Sequence, residues 1–252
     1  MRDRSIRWET TVEAMCAVVR PAGCLDASTF REFIDRLVKY GADEPRAVVV
    51  VADELQVVGD PPLTAFTIAA DQIGDWPGIP LLIVAESPAL HARLTGTALN
   101  NFVRVFASVP EALAAVTDPP PRRRAAIDLM ADADSARRAR RFIECTCERW
   151  HIGQVRAGAQ LVGTELVENA FLHARVTGDI GLRLELRGER LVIAVHDPDP
   201  TPAVLCEPDP NGHRRYGLHV IGRLALRWGC TPEWLGGKTV WATLSVDRPA
   251  LN

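Results

Sequence analysis

Three consecutive prolines followed by three arginines divide this chain near its middle, at residues 118–124. Prolines cannot continue a helix, and they favour an extended segment. Helical and strand-like patterns continue on both sides, so we expect two domains, at 1–117 and 125–252, with 118–124 as a linker. The arginine triplet is interpreted as solvated linker, with a nucleotide or an acidic partner as the alternative ligand.

Strands alternate with helices before the prolines, which predicts a mixed or parallel sheet layered with helices. The β-branched run at 47–51 is typical of a strand buried on both faces. The expected fold class is therefore α/β (α+β) in two domains. Strands are predicted at 11–20, 47–51, 81–85 and 102–106, and helices begin near Phe30, Leu63, Ala89 and Val109.

This half resembles the STAS domain, the fold of anti-sigma factor antagonists, over roughly residues 10 to 117. The resemblance is carried by four stretches, at 23–26, 47–53, 80–85 and 108–113. In such antagonists a loop serine is phosphorylated by a partner kinase, but here the stretch at 59–64 reads Gly-Asp-Pro-Pro-Leu-Thr. The resemblance implies a docking or regulatory module without that switch, and Thr64 and Thr67 are interpreted as helix-start or packing residues.

In the second half, a helix is predicted at 161–174, with Glu165 and Asn169 four residues apart on one face. Its apolar positions, which can anchor it in a core, are Leu161, Val162, Leu166, Ala170 and Leu172. Leaving Glu or Asn unpaired on a buried face is unfavourable, so these two side chains need a function. A carboxylate beside an amide can hold a metal ion and a polarised hydroxyl or water.

Two strands, at 180–186 and 190–196, are predicted to form a hairpin, and Asp197 follows the second. A carboxylate at this position can accept a hydrogen bond from an exocyclic amino group such as that of adenine. A turn-forming Asp-Pro pair is the alternative interpretation.

A basic, glycine-containing loop opens a helix at 211–221, an arrangement that suits phosphate because helix N-termini bind anions. Gly236 and Gly237 then predict a tight turn into a last strand, with Lys238 and Thr239 near phosphate. The spacing is not that of a Walker loop.

Together these segments resemble the GHKL ATPase superfamily, and within it the anti-sigma factor Ser/Thr kinases, over roughly residues 125 to 246. The resemblance implies that Glu165 is the general base, that Asn169 is a ligand of Mg²⁺, and that Asp197 recognises adenine. It also implies that Gly217 and Leu218 belong to a lid over the phosphates. Thr239 would support the adenine-binding carboxylate.

Two positions depart from the resembled pattern. The first glycine box has Asp199 in place of its glycine, which stiffens the loop and brings another acid toward the phosphates. The second has Arg215 in place of a glycine, which either binds the γ-phosphate or obstructs the lid. His173 is interpreted as structural, because the phosphorylated histidine of related kinases lies in a separate domain.

The resemblance therefore implies an ATP- and Mg²⁺-binding bacterial regulator that controls a sigma factor by partner switching, with kinase activity left open. Its expected partners are a sigma factor or STAS-domain antagonists, and a homodimer is possible. The alternative is a catalytically weak or inactive binding module, regulated by nucleotide and by its own STAS domain.

Bulk properties narrow the class of protein. A net charge of −3 gives no electrostatic case for nucleic acid or an anionic membrane. No apolar run is long enough to span a bilayer, and the N-terminus lacks an apolar signal core, so a cytoplasmic location is expected. None of the six cysteines forms a Cys-x-x-Cys pair, which favours reduced thiols.

Overall fold

The computed structural model of this chain describes residues 5–59, 61–117, 122–130, 132, 134–173, 178–201, 217–234 and 236–247. The chain divides into two compact units, Met1–Pro119 and Pro120–Asn252. Each unit contains its own β-sheet together with helices. The predicted fold class, α/β in two domains, is confirmed.

The first unit consists of six strands and four helices within the described residues. The strands are β1 (Arg7–Glu13), β2 (Cys16–Leu25), β3 (Val48–Val51), β4 (Leu55–Val57), β5 (Leu81–Val84) and β6 (Val105–Phe106). The helices are α1 (Phe30–Ala42), α2 (Thr64–Asp75), α3 (Pro88–Thr95) and α4 (Val109–Ala114). The sheet order is β1-β2-β3-β5-β6, with β4 paired to β2.

All residues of β3 and β5 are buried, as predicted for strands covered on both faces. One face packs against α4, where Val49 and Val84 meet Val109 and Ala112. Helices α1 and α2 pack against each other through an edge-to-face contact between Phe33 and Phe66, whose ring centroids are 5.1 Å apart.

The single strand predicted at 11–20 is wrong, because the chain turns in its middle and forms the β1–β2 hairpin. Ala14 and Met15 form the turn with φ values of +49° and +62°. Two-residue hairpin turns of this conformation usually contain Asn or Gly, since other residues are strained there. The sequence therefore carried no turn signal at this point.

The second unit has a five-stranded, fully antiparallel sheet in the order β10-β11-β9-β8-β7. Its strands are β7 (Arg122–Leu129), β8 (Ile180–Arg187), β9 (Arg190–Asp197), β10 (Arg227–Pro232) and β11 (Lys238–Ser245). Its described helices are α5 (Ser135–Trp150), α6 (Arg156–His173) and α7 (Gly217–Leu224).

The helices of the second unit pack on one face of its sheet. The core joins Ile143 of α5 and Val162 of α6 to Leu184, Val195 and Val240 of the strands. Because side chains alternate between faces along a strand, every second residue of β9 and β11 points toward α6. This alternation decides which residues at the strand ends share a layer with α6.

Strand β7 starts at Arg122, inside the segment predicted as linker, so the arginine triplet belongs to a strand and not to the linker. Arg122 Nη1 lies 3.2 Å from Glu185 Oε1, and Arg124 Nε lies 2.9 Å from Oε2 of the same carboxylate. Glu185 is fully buried on β8, so its negative charge needs these cations. Residues 118–121 of the predicted linker lie outside the described residues.

Within the described part of the chain, no helix is both long and apolar enough to cross a membrane. The five described cysteines, Cys16, Cys24, Cys145, Cys147 and Cys230, are free thiols. Burial raises the pKa of Cys147 to about 11. That thiol therefore stays protonated at neutral pH and acts as a packing group.

Candidate functional site

Helix α6 carries the two polar residues that the sequence singled out. Glu165 and Asn169 are both half-buried and lie one turn apart, while Val162, Leu166 and Ala170 are buried in the core. The apolar side of α6 thus anchors it between the sheet, α5 and α7. The helix holds a carboxylate and an amide side by side at the margin of a packed layer.

The environment of Glu165 favours its protonated form. Burial raises the pKa of this carboxyl group, and the negative charge of Glu168 on the same helix raises it further. A carboxylate with a raised pKa is a stronger proton acceptor than an ordinary surface glutamate. This property is what a general base requires.

Asp197, at the end of β9, forms a buried ion pair with Lys238, at the start of β11. Lys238 Nζ lies 2.6 Å from Asp197 Oδ2, and the two side chains are 4% and 1% exposed. The strand register sets Lys238 directly opposite Asp197. Lys238, expected near phosphate, instead neutralises the carboxylate expected to recognise adenine.

The loop after Asp197 is held by local hydrogen bonds. Asp199 N donates to Asp197 Oδ1 at 2.9 Å, and Thr201 N donates to Asp199 Oδ1 at 2.8 Å. Lys238 Nζ donates a second hydrogen bond, at 2.7 Å, to the carbonyl oxygen of Asp199. Pro198 and Pro200 also restrict the backbone of this loop, for which the missing glycine predicts stiffness.

The turn before β11 requires glycine. Gly236 and Gly237 have φ values of +95° and +86°, in the region that L side chains rarely adopt. A Cβ on Gly237 would lie 2.6 Å from the carbonyl oxygen of Asp197. The close approach of this turn to the end of β9 brings Lys238 onto Asp197.

Thr239 does not support Asp197, contrary to what the resemblance implies. The register pairs Thr239 with His196, so its side chain lies on the sheet face opposite to Asp197, Lys238 and α6. Its hydroxyl donates to Glu233 Oε1 at 2.6 Å. The physical reason is the period of two along a strand, which separates adjacent residues 238 and 239 onto different faces.

Glu233 also contacts His196, and with Thr239 they form a polar cluster that the sequence analysis missed. His196 Nδ1 lies 3.0 Å from Glu233 Oε1. The hydrogen bond with Glu233 raises the pKa of His196. Burial alone would raise the pKa of Glu233, but the hydrogen bonds from His196 and Thr239 lower it overall. The pair therefore stays ionised in mildly acidic solution.

The remaining predicted site residues are only partly placed. Gly217 and Leu218 begin α7, whose Ile221 packs in the same core as α6. Arg215 and the loop at 202–216 lie outside the described residues. His173 is the last residue of α6.

Whether the site can hold Mg²⁺ depends on the donor atoms that it offers, because Mg²⁺ prefers carboxylate and amide oxygens and usually takes phosphate oxygens as well. In the described ranges, no group of three His, Cys, Asp or Glu residues could hold a metal. The half-buried pair of Glu165 and Asn169 offers a carboxylate and an amide oxygen that fit a Mg²⁺ ion arriving with a nucleotide.

The surroundings of Asp197 limit how its carboxylate could accept a hydrogen bond from an adenine amino group. Each carboxylate oxygen already accepts one hydrogen bond and has capacity for another. The carboxylate is almost completely buried, and its charge is balanced by Lys238. Asp197 therefore fits the adenine amino group only if that group shares the carboxylate with the ammonium.

Residues 129–244 match the model of a protein family described as the histidine kinase-like ATPase domain. The match spans just under half of the chain and contains the entire Glu165, Asn169, Asp197 and Lys238 arrangement. It implies a nucleotide site in the second unit. No curated protein matches this chain.

The chain is also similar to solved structures of anti-sigma factor antagonists. One from Mycobacterium paratuberculosis is 23% identical and covers 46% of this chain and 97% of its own, with a TM-score of 0.40. A STAS domain protein from Planctomyces limnophilus is 16% identical, with coverages of 44% and 97% and a TM-score of 0.35. The phosphorylated form of the Bacillus cell fate determinant SpoIIAA is 13% identical, with coverages of 45% and 100% and a TM-score of 0.32.

The family match agrees with the prediction of an ATPase-type domain in the second half of the chain.

Proposed function

We propose that this chain is an ATP-binding regulatory protein of the anti-sigma factor Ser/Thr kinase type, which controls a sigma factor by partner switching. The observation that carries the proposal is the Glu165–Asn169 pair, on a helix that shares its layer with Asp197. The match of the second unit to the histidine kinase-like ATPase domain supports a nucleotide as the ligand.

In this proposal Glu165 accepts the proton of a substrate serine, and Asn169 holds Mg²⁺ through its side-chain oxygen. Burial supports the role of Glu165, since the raised pKa strengthens it as a base. A bound Mg²⁺ ion neutralises charge on the phosphates. The spacing of one helical turn lets the amide act on the metal without displacing the carboxylate.

Asp197 accepts the adenine amino group in this proposal, and Lys238 shares the carboxylate. Gly217, Leu218 and Arg215 cover the phosphates, with α7 supplying a helix N-terminus that favours anions. Because the ammonium of Lys238 already occupies Asp197, we expect modest affinity for adenine nucleotides.

A second candidate function is a binding module that needs nucleotide but transfers no phosphate. The buried pair of Lys238 and Asp197 favours it, because a neutralised acceptor weakens recognition of the base. In this case nucleotide only selects the conformation that engages a partner, and the first unit regulates it.

The proposed partners are a sigma factor or a STAS-domain antagonist, the class of protein named for the similar structures. We propose that the first unit docks such partners without accepting phosphate at the usual loop. Pro61 and Pro62 stand in that loop, and the nearby hydroxyls bond locally: Thr64 donates to Pro61 O at 2.7 Å and Thr67 to Thr64 O at 2.8 Å.

Transfer of labelled γ-phosphate to separately produced STAS proteins separates the two candidates. For a kinase, Glu165→Gln lowers transfer by about 10²-fold or more while nucleotide still binds. Glu148→Gln, at an exposed glutamate on α5 that does not contribute to the raised pKa of Glu165, serves as the control and keeps wild-type transfer. Nucleotide binding without transfer to any candidate substrate would support the binding module and contradict the kinase.

A further inference from the structure

Strand β1 forms one edge of the first sheet. In the described chain it pairs with β2 on one side and with no strand on the other. Most of its side chains are exposed, and Val12 is 78% exposed. An edge without proline, lysine or bulge is a template for pairing with another strand.

The hairpin geometry determines which backbone groups of β1 point outward. In the turn at Ala14–Met15, Glu13 and Cys16 are the closing, hydrogen-bonded pair. Val12 lies opposite Ala17, whose amide donates instead to Ala47 O, at 2.9 Å, on the far side of β2. Hydrogen-bonded and open pairs alternate along the hairpin.

It follows that every second residue of β1, namely Trp8, Thr10 and Val12, directs its N–H and C=O away from β2.

The sequence of β1, Arg-Trp-Glu-Thr-Thr-Val-Glu, is complementary to itself when reversed about Thr10. An antiparallel pair centred there sets Arg7 opposite Glu13, Trp8 opposite Val12, and Glu9 opposite Thr11. The outward-directed pairs that exchange hydrogen bonds are then Trp8 with Val12 of the other copy, and Thr10 with Thr10 of the other copy.

Neighbouring registers are disfavoured by charge. Centring the pair on residue 9 places Glu9 opposite Glu9 of the second copy. Centring it on residue 11 places Glu9 opposite Glu13. Like charges that face each other directly across strands are destabilising, whereas Arg–Glu pairs are favourable. The charges of β1 thus select the register centred on Thr10.

We propose that two copies of this chain associate through β1, antiparallel and around a two-fold axis at Thr10, so that their first sheets become continuous. Val12 of one copy then packs beside Trp8 of the other, which its own chain supports through Phe33 at a centroid distance of 5.2 Å. On the opposite sheet face, Arg7 of each copy meets Glu13 of the other. This surface belongs to the first unit, whereas the candidate nucleotide site belongs to the second.

Sedimentation of the full chain over a range of concentrations tests the charge pattern. Wild type associates from the 27.6 kDa monomer to a dimer. Arg7→Glu and Glu13→Arg each place two like-charge pairs in the interface and weaken the dimer about tenfold or more. An equimolar mixture of the two variants, and the double variant, each restore Arg–Glu pairs and recover wild-type affinity.

Substitutions at Thr10 test the backbone hydrogen bonds that the proposed dimer requires. Thr10→Pro removes an N–H group that makes no hydrogen bond to β2, so the hairpin persists while the dimer weakens. Edge strands accept proline at positions whose N–H points away from the sheet. Thr10→Val keeps the amide and keeps the dimer. Circular dichroism checks that each variant is folded. A wild-type chain that stays monomeric at about 100 µM, or a dimer that none of these variants weakens, overturns the proposal.

Discussion

Lys238 and Asp197 form an ion pair, with Nζ 2.6 Å from Oδ2, in an almost completely buried position between β9 and β11. The pair joins the last residue of one strand to the first residue of its neighbour. It lies in the layer that also contains α6 with Glu165 and Asn169. The candidate adenine acceptor, Asp197, is therefore expected to stabilise the domain as well as to belong to the candidate ligand site.

Breaking this pair should be strongly destabilising. Lys238→Met leaves the Asp197 carboxylate buried without its cation, and we expect a loss of about 3–5 kcal/mol in the free energy of unfolding. The double variant Asp197→Asn with Lys238→Met removes both charges and should recover part of that loss. Urea denaturation measures both, and a loss below about 1 kcal/mol in the single variant would contradict the pair's structural role.

The glycine turn provides a prediction with a neighbouring control. Gly237→Ala adds strain at φ +86° and a Cβ 2.6 Å from Asp197 O, whereas Gly236→Ala adds strain at φ +95° with no atom within 4 Å. We expect Gly236→Ala to destabilise by about 1–2 kcal/mol and Gly237→Ala by at least about 1 kcal/mol more. Equal losses in the two variants would mean that the close approach to β9 is not maintained in solution.

The pair of His196 and Glu233 predicts a pH-dependent contribution to stability. The pKa of His196 is raised in the folded state, so its contribution is full below the unfolded pKa near 6.5 and is lost as pH rises through the raised value. The pKa of Glu233 is lowered, so its contribution is present above its ordinary pKa and lost as pH falls through the lowered value. The ion pair therefore contributes most to stability between about pH 4.5 and pH 6.5.

Comparison of wild type with Glu233→Gln tests this window. The difference in unfolding free energy should be largest near about pH 6 and smaller at about pH 9. It should stay below about 1 kcal/mol, because the side chains of His196 and Glu233 are 41% and 30% exposed and water screens the pair. In the His196→Gln background the change between about pH 6 and pH 9 should disappear. In the wild-type background, a difference that is constant over that range would exclude the ion pair.

Much of the site was predictable from local patterns. The helical period placed Glu165 and Asn169 on one face, and consecutive glycines marked the turn before β11. These signals lie within a few residues of each other, so the sequence contains them directly. The general fold class followed from alternating helix and strand patterns for the same reason.

The features that the sequence did not predict depend on contacts between residues that are distant in the sequence. Whether Lys238 or Thr239 faces Asp197 is set by the register between β9 and β11, and a shift of one residue reverses the faces. Arg122 belongs to β7 through pairing with β8, and its cation meets Glu185, which is 63 residues away in the sequence. The Ala14–Met15 turn lacks the residues that such turns favour, so tertiary structure holds it against its local preference.

Binding of ATP with and without Mg²⁺, compared between wild type and Asn169→Ala by calorimetry, tests the central claim most directly. The account predicts that wild type binds ATP more tightly with Mg²⁺. Asn169→Ala should lose at least about tenfold in that Mg²⁺-dependent affinity, while its binding without the metal is unchanged. Wild-type protein that binds no ATP, or Asn169→Ala protein with an undiminished Mg²⁺ effect, would contradict the assignment of this helix to a nucleotide site.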